Sequence, residues 1–222
     1  MSLAFDLITF DCYGTLIDWE RGIADAFQRE AARVGKRLDD AAIIAAYHRE
    51  EPAVEFESYR AYSDVLTKTA RRVAGRLGLQ IAPERAAFLV ESLANWQPFP
   101  DTNAALERLV KRYRLGILSN VDDDLLEATR RHFSVRFDLI ITAEQVGSYK
   151  PAHGHFIEAR WRAAGARWLH AAQSYFHDVV PARALEIPVA WVNRKHEKPD
   201  AGGPLPDMEV NSLAELADRL GV

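Results

Sequence analysis

A single cysteine, Cys12, is all the thiol chemistry in this 222-residue chain. One cysteine closes no internal disulfide, which fits a reducing compartment and leads us to expect a cytoplasmic protein. Charge of one sign is equally scarce. Twenty-eight Lys and Arg stand against 32 Asp and Glu, a formal net charge of −4, with no basic block suited to a phosphate backbone. Nucleic acid is therefore not an expected partner. No apolar run approaches the ~18 residues of a membrane-spanning helix. The chain also opens without a basic stretch leading into a short apolar one, so neither membrane insertion nor a secretory leader is expected. Repeats and low-complexity tracts are missing as well. What remains, at 48% hydrophobic and 27% charged residues, is a globular composition with room for one sizeable domain, or for a core holding a second, inserted one.

The hydrophobic rhythm changes twice along the chain. Phe5–Phe10 reads as a buried strand. Apolar residues then recur at helical spacing: Ala24, Phe27, Ala31 and Val34, closed by Gly35; Ile43, Ile44 and Tyr47 behind Asp39 and Asp40, with a break expected at Pro52; Tyr62, Leu66, Val73 and Leu77; and Leu89, Leu93 and Trp96 in a helix opened by Pro83. Residues 17–96 thus form an all-helical block. From Pro98 onward helices and strands alternate. Helices are expected over 102–112, 122–133 and 153–164, with strands at 115–118, 137–142, near 174–176 and at 189–192. A charged, Pro- and Gly-rich loop covers 194–206 and a last helix 213–220. The alternation predicts an α/β fold, a Rossmann-like doubly wound parallel sheet built from 1–16 and 97–222.

Four short stretches place chemistry-bearing residues at strand ends of that sheet. Asp11 stands at the tip of the first strand and is followed by Cys12-Tyr13-Gly14-Thr15. A carboxylate there, with a glycine and a hydroxyl close behind, is placed to attack a group held above the sheet, although an Asp-Gly turn has the same appearance. Ser119-Asn120 ends the strand beginning at Leu115, where the pair can line a site or simply cap the next helix. Lys150-Pro151 opens a helix, and its ammonium either faces Asp11 or is solvated. Asp178 closes Gln173-Ser174-Tyr175-Phe176-His177-Asp178 and can anchor Lys150, cap the following helix, or do both.

Taken in order, these stretches resemble the four motifs of the haloacid dehalogenase superfamily, over nearly the whole chain. Tyr13, where phosphatases of the superfamily carry a second Asp, points to the L-2-haloacid dehalogenase branch. The resemblance implies that 17–96 is a cap inserted over the C-terminal edge of the sheet. It also implies that Asp11 attacks C2 of a short 2-haloacid, displaces halide and forms an ester, which water then opens at the Asp11 carbonyl carbon. Thr15 would hold Asp11, Ser119 and Asn120 would line the site, Lys150 would stabilise the carboxylate charge, and Asp178 would anchor Lys150 and help place the water. No cofactor and no metal are implied. The partner is a small 2-haloacid or similar carboxylate. The resemblance also allows a homodimer, although no self-complementary patch is legible in one chain.

The departures concern substrate handling. The cap arginine that receives halide in the family aligns with His48, with Arg49 next to it. One residue on a helix turns a side chain by about 100°, so Arg49 is no automatic substitute, and His48 is also readable as an exposed helix histidine. A family tyrosine is Phe156 here, and two polar positions of the fourth motif are Gln173 and Tyr175. Tyr13, Trp19, Tyr59 and His177 complete the candidate substrate-binding set. Trp19 is equally readable as a packing residue, and for Tyr59 helix packing is the safer reading. His153 and His155 read as surface or helix-start histidines, and Asp122-Asp123-Asp124 as a helix start. Two other functions stay open: a Mg²⁺-dependent phosphatase of small phosphomonoesters, disfavoured by Tyr13, and a retargeted or non-catalytic relative.

Overall fold

The computed structural model describes residues 5–222; the first four residues of the expected core segment lie outside them. The chain divides into two compact units. One comprises the chain up to Ile17, Pro98–Asn120 and Arg131–Val222, and the other Asp18–Gln97 with Val121–Arg130.

The first unit is a Rossmann-like α/β layer built on a six-stranded, wholly parallel sheet of order β3-β2-β1-β4-β5-β6. Its strands are β1 (Leu7–Phe10), β2 (Arg114–Ser119), β3 (Leu139–Thr142), β4 (Trp168–Ala172), β5 (Val189–Val192) and β6 (Met208–Val210). All four residues of β1 are buried, as are all of β4 and β5. That is the signature of strands covered on both faces, and it explains why they read as continuous apolar runs rather than as alternation. The helices are α5 (Thr102–Leu109), α7 (Ala143–Val146), α8 (Gly154–Arg162), α9 (Val180–Ala184) and α10 (Leu213–Arg219). Because β1 lies between β2 and β4, the chain moves outward to one side through β2 and β3 and then to the other through β4, β5 and β6. Asp11 follows β1 directly, at the point of reversal, where doubly wound sheets open a crevice.

The strand expected near 174–176 lies earlier, at Trp168–Ala172. Tyr175–Val179 instead forms a single π-helical turn, capped by Ser174, whose Oγ accepts from His177 N at 3.1 Å. Both stretches are apolar and short, so periodicity alone does not separate them. β6 went unread because it is a three-residue edge strand.

The second unit contains α1 (Trp19–Arg33), α2 (Asp40–Glu55), α3 (Tyr62–Arg76), α4 (Phe88–Leu93) and α6 (Asp123–Arg130). Asp18 caps α1 and Asp39 caps α2 through their carboxylates. α2 does not break at Pro52 but runs to Glu55. The proline falls in the last turn, little of the helix follows it, and buried Val54 anchors what does. Pro83 opens only a 3-10 turn, Pro83–Arg85, before α4 begins at Phe88. Residue 61 offers α3 no capping side chain. Asp122 supplies one from a distance, accepting from Tyr62 N at 2.6 Å and Ser63 N at 2.9 Å. This contact ties Val121–Arg130 to the helices, although the sequence pattern places that stretch among the alternating elements. It also separates Asp122 from Asp123 and Asp124, which occupy the first turn of α6. Among the described residues no helix is long and apolar enough to cross a membrane.

Candidate active site

The turn after β1 aims Asp11 and then brings Thr15 back to it. Gly14 sits at φ 101°, a conformation open to glycine and costly to any residue with a Cβ. Leu16 N and Ile17 N both return to Cys12 O, at 2.8 and 3.0 Å. The result places Thr15 Oγ1 to donate to Asp11 Oδ2 at 2.9 Å while accepting from Gln173 N at 2.8 Å. One hydroxyl thereby links the first motif to the fourth.

Lys150 is buried at 1% exposure, and all three of its ammonium protons are spent. Nζ donates to Asp11 Oδ1 at 3.0 Å, to Asp178 Oδ1 at 2.7 Å and to Leu118 O at 2.9 Å. The lysine is held by Asn120, whose side chain pairs both ways with its backbone: Lys150 N donates to Asn120 Oδ1 at 2.7 Å and Asn120 Nδ2 donates to Lys150 O at 3.0 Å.

Two carboxylates therefore share one ammonium away from water, and they share it unequally. Burial pushes the Asp11 carboxyl up; the Lys150 charge opposes it and the Asp178 charge adds to it, leaving Asp11 above its ordinary pKa. Burial also raises Asp178, but the Lys150 charge and the His170 hydrogen bond outweigh it, holding Asp178 well below the usual carboxylate range. Burial works against the Lys150 ammonium, yet the two carboxylates hold its pKa above the ordinary value. Asp11 is thus the less stabilised of the two carboxylates. The Cys12 thiol next door is pushed well up by burial and by Asp11, which removes thiolate chemistry from the site.

The other candidates of the sheet unit fall into two groups. Ser119 is buried and its Oγ has no partner among the described residues, which leaves a donor at the tip of β2. Tyr13 is half-buried in the same turn as Asp11. His177 is half-buried, with Nδ1 3.1 Å from Ser174 Oγ, and burial lowers its pKa. Phe156, Tyr175 and Gln173, by contrast, are committed to the fold. Phe156 is fully buried against Trp168 and His170. Tyr175 packs on Trp191 and spends its hydroxyl on Pro204 O at 2.8 Å. Gln173 contributes its backbone N–H to Thr15, while its side chain reaches Glu197.

The remaining four lie in the helical unit. Trp19 stacks on Tyr47 and His48, with ring centroids 5.4 and 5.2 Å apart. His48 and Arg49 are exposed, with His48 Nε2 2.9 Å from Glu20 Oε1. Tyr59 is exposed in the loop between α2 and α3.

Sequence reasoning missed three residues. His155 stands at the start of α8, as one of its two readings has it, but is no surface histidine. It is fully buried, donates through Nε2 to Ser119 O at 3.0 Å, and burial lowers its pKa to about 3. His170 and Thr9, inside β4 and β1, connect to Asp178 from below. A polar pair within apolar strands was the available signal. Among the described residues no group of three or more His, Cys, Asp or Glu is arranged to hold a metal. Asp11 and Asp178 supply two carboxylates, both turned to Lys150.

A buried carboxylate thus stands at the switch point of a parallel sheet, paired with a buried lysine and a second carboxylate. The family model of haloacid dehalogenase-like hydrolases matches residues 5–172, and the chain belongs to that family. It is similar to (S)-2-haloacid dehalogenase H-109 of Pseudomonas putida, 29% identical with 96% of each chain covered. It is also similar to the (S)-2-haloacid dehalogenase of Pseudomonas sp. strain YL, 27% identical over 95% of this chain and 92% of the relative. Its fold is that of the L-2-haloacid dehalogenase from Xanthobacter autotrophicus with chloropropionic acid covalently bound, with a TM-score of 0.84 at 21% identity over 96% and 97% of the two chains.

Proposed function

We propose that this hydrolase cleaves the carbon–halogen bond of short (S)-2-haloacids through an ester on Asp11. The observation that carries the reading is the setting of Asp11. Its carboxylate oxygens are engaged by Lys150 Nζ and Thr15 Oγ1, and the position two residues on is Tyr13, so no second acid stands ready to protonate a phosphate leaving group. Two curated relatives matched over most of their length bear the name (S)-2-haloacid dehalogenase.

Asp11 attacks C2 in line and halide leaves with the bonding electrons, giving an ester. Removal from bulk water strengthens the carboxylate, and fixed geometry replaces a bimolecular encounter. The buried Ser119 hydroxyl offers the substrate carboxylate a donor. Lys150 balances the charge that moves through the site. Water then attacks the Asp11 carbonyl carbon, and the 2-hydroxy acid departs with inverted configuration.

The test is halide release from L-2-chloropropionate in EDTA, with the Asp11 peptide weighed during turnover. Release together with a substrate-derived mass increment is expected, and both should vanish in Asp11→Asn. Hydrolysis of p-nitrophenyl phosphate that appears only with Mg²⁺, with no halide release, would overturn the reading.

A further inference from the structure

Behind Asp178 runs a line of buried polar groups that the reaction as described does not use. Trp168 Nε1 donates to Thr9 Oγ1 at 2.6 Å, Thr9 Oγ1 lies 2.8 Å from His170 Nδ1, and His170 Nε2 lies 2.8 Å from Asp178 Oδ1. Thr9 and His170 are fully buried and Trp168 is 7% exposed. Sheet register creates the line. Thr9 and His170 are direct partners across β1 and β4, and Trp168, two residues earlier, points to the same face. Phe156 meets the His170 ring edge-on at 5.2 Å and fixes its plane.

The direction of the line follows from chemistry. Asp178 is ionised and can only accept, so His170 Nε2 carries a proton. An indole N–H can only donate, so it occupies a lone pair of Thr9. Thr9 keeps a second lone pair and one proton, so its contact with His170 Nδ1 is satisfied in either direction, and the fixed element is the proton on Nε2. The titratable groups that act on it are Asp178, in direct contact, and His155.

We propose that His170 is a positioning residue for ester hydrolysis, locking Asp178 through Oδ1 so that Oδ2 is left to handle the proton of the attacking water. This rests on the aspartyl-ester reading above. Oδ1 already accepts from Lys150 Nζ and from His170 Nε2, so the carboxylate plane is fixed. Oδ2 is buried and has no partner among the described residues. As the water oxygen bonds to the Asp11 carbonyl carbon, its O–H bond breaks and the proton passes to Asp178 Oδ2. As the ester C–O bond breaks, that proton moves to the departing alkoxide, and Asp178 is ionised again. Halide displacement moves no proton and makes no demand on His170.

The experiment has two arms. Long-range ¹H–¹⁵N NMR of histidine-labelled wild-type protein, assigned by the signals lost in His170→Phe, reports the tautomer without substrate. A proton on Nε2 is expected at pH 7, held there by Asp178. Rapid-quench kinetics on L-2-chloropropionate then separates the two steps. In His170→Phe ester formation should change little, while ester breakdown slows at least about tenfold, so the Asp11 adduct accumulates. His170→Gln, whose amide can donate to Asp178 and accept from Thr9, should restore breakdown. A neutral Nδ1–H ring, with no proton on Nε2 for Asp178, overturns the proposal whatever the substrate. Equal slowing of both steps overturns it too, and if His170→Phe does not fold, Thr9→Val is read by the same step ratio. If wild-type protein forms no adduct while the ring is Nε2–H, the ester reading fails and takes the hydrolytic role of His170 with it.

Discussion

Asn120 and Lys150 hold each other through two opposed hydrogen bonds, the Lys150 amide on Asn120 Oδ1 at 2.7 Å and the Asn120 amide on the Lys150 carbonyl at 3.0 Å. The end of β2 thereby fixes the backbone from which the ammonium reaches two carboxylates. Asn120 thus acts through Lys150, and its tendency to look like a helix cap is incidental. Replacing it with Ala should leave the charges in place but loosen their geometry. A displacement of about 1 Å costs on the order of 100-fold in rate. We therefore expect kcat in Asn120→Ala to fall by about that factor, with a smaller change in KM, in a steady-state halide assay.

Lys150→Met removes the ammonium and leaves Asp11 and Asp178 buried together. Breaking a buried ion pair on one side costs about 3–5 kcal/mol. Urea denaturation at pH 7 should show a loss of that order. The loss should shrink at pH 4, where the orphaned carboxylates take up protons.

The pH dependence of stability has a definite sign. Asp178 lies below its ordinary 3.8, so its contribution is present above pH 3.8 and is lost as pH falls through its lower folded value. Lys150 lies above 10.5, so its contribution is present below pH 10.5 and is lost as pH rises through its higher folded value. Asp11 acts in the opposite sense. Its raised folded value means that ionising it in place costs stability as pH climbs past 3.8. Asp11→Asn should therefore be inactive yet at least as thermally stable as wild type at pH 7, as measured by Tm. A clearly lower Tm would contradict the assigned electrostatics. The acid limb of wild-type activity should also fall above pH 3.8.

In the helical unit the contact to test is Gly22 against Trp96. A Cβ on Gly22 would lie 2.4 Å from Trp96 Cγ, whereas one on Gly75, inside α3, would meet nothing within 4 Å. Gly22→Ala should cost about 1–3 kcal/mol by overpacking. Gly75→Ala should gain about 0.5–1 kcal/mol from helix propensity. Chemical denaturation of the two variants side by side measures both.

Much of this was legible in one dimension. The apolar run ending at Asp11, the Ser119-Asn120 pair, Lys150-Pro151 and Asp178 each carry a local signature, because a buried strand, a turn and a helix start impose their residue types over a few positions. The alternation after Pro98 yields a parallel sheet for the same reason. Misplacing the strand near 174 and breaking α2 at Pro52 were failures of short-range rules where packing outweighs propensity.

The amino-acid sequence by itself determined the family and the α/β layering, and it singled out Asp11, Thr15 and Lys150, which the fold brings into contact. Tertiary structure alone decided that Lys150 spends all three protons, that Asp178 is the better-held anion, that Phe156 and Tyr175 are packing residues, and that His155 and His170 are buried beneath the chemistry. Partners separated by up to 161 positions in the chain, as Thr9 and His170 are, leave no periodic trace. What brings them together is strand register, which pairs Thr9 directly with His170 across β1 and β4.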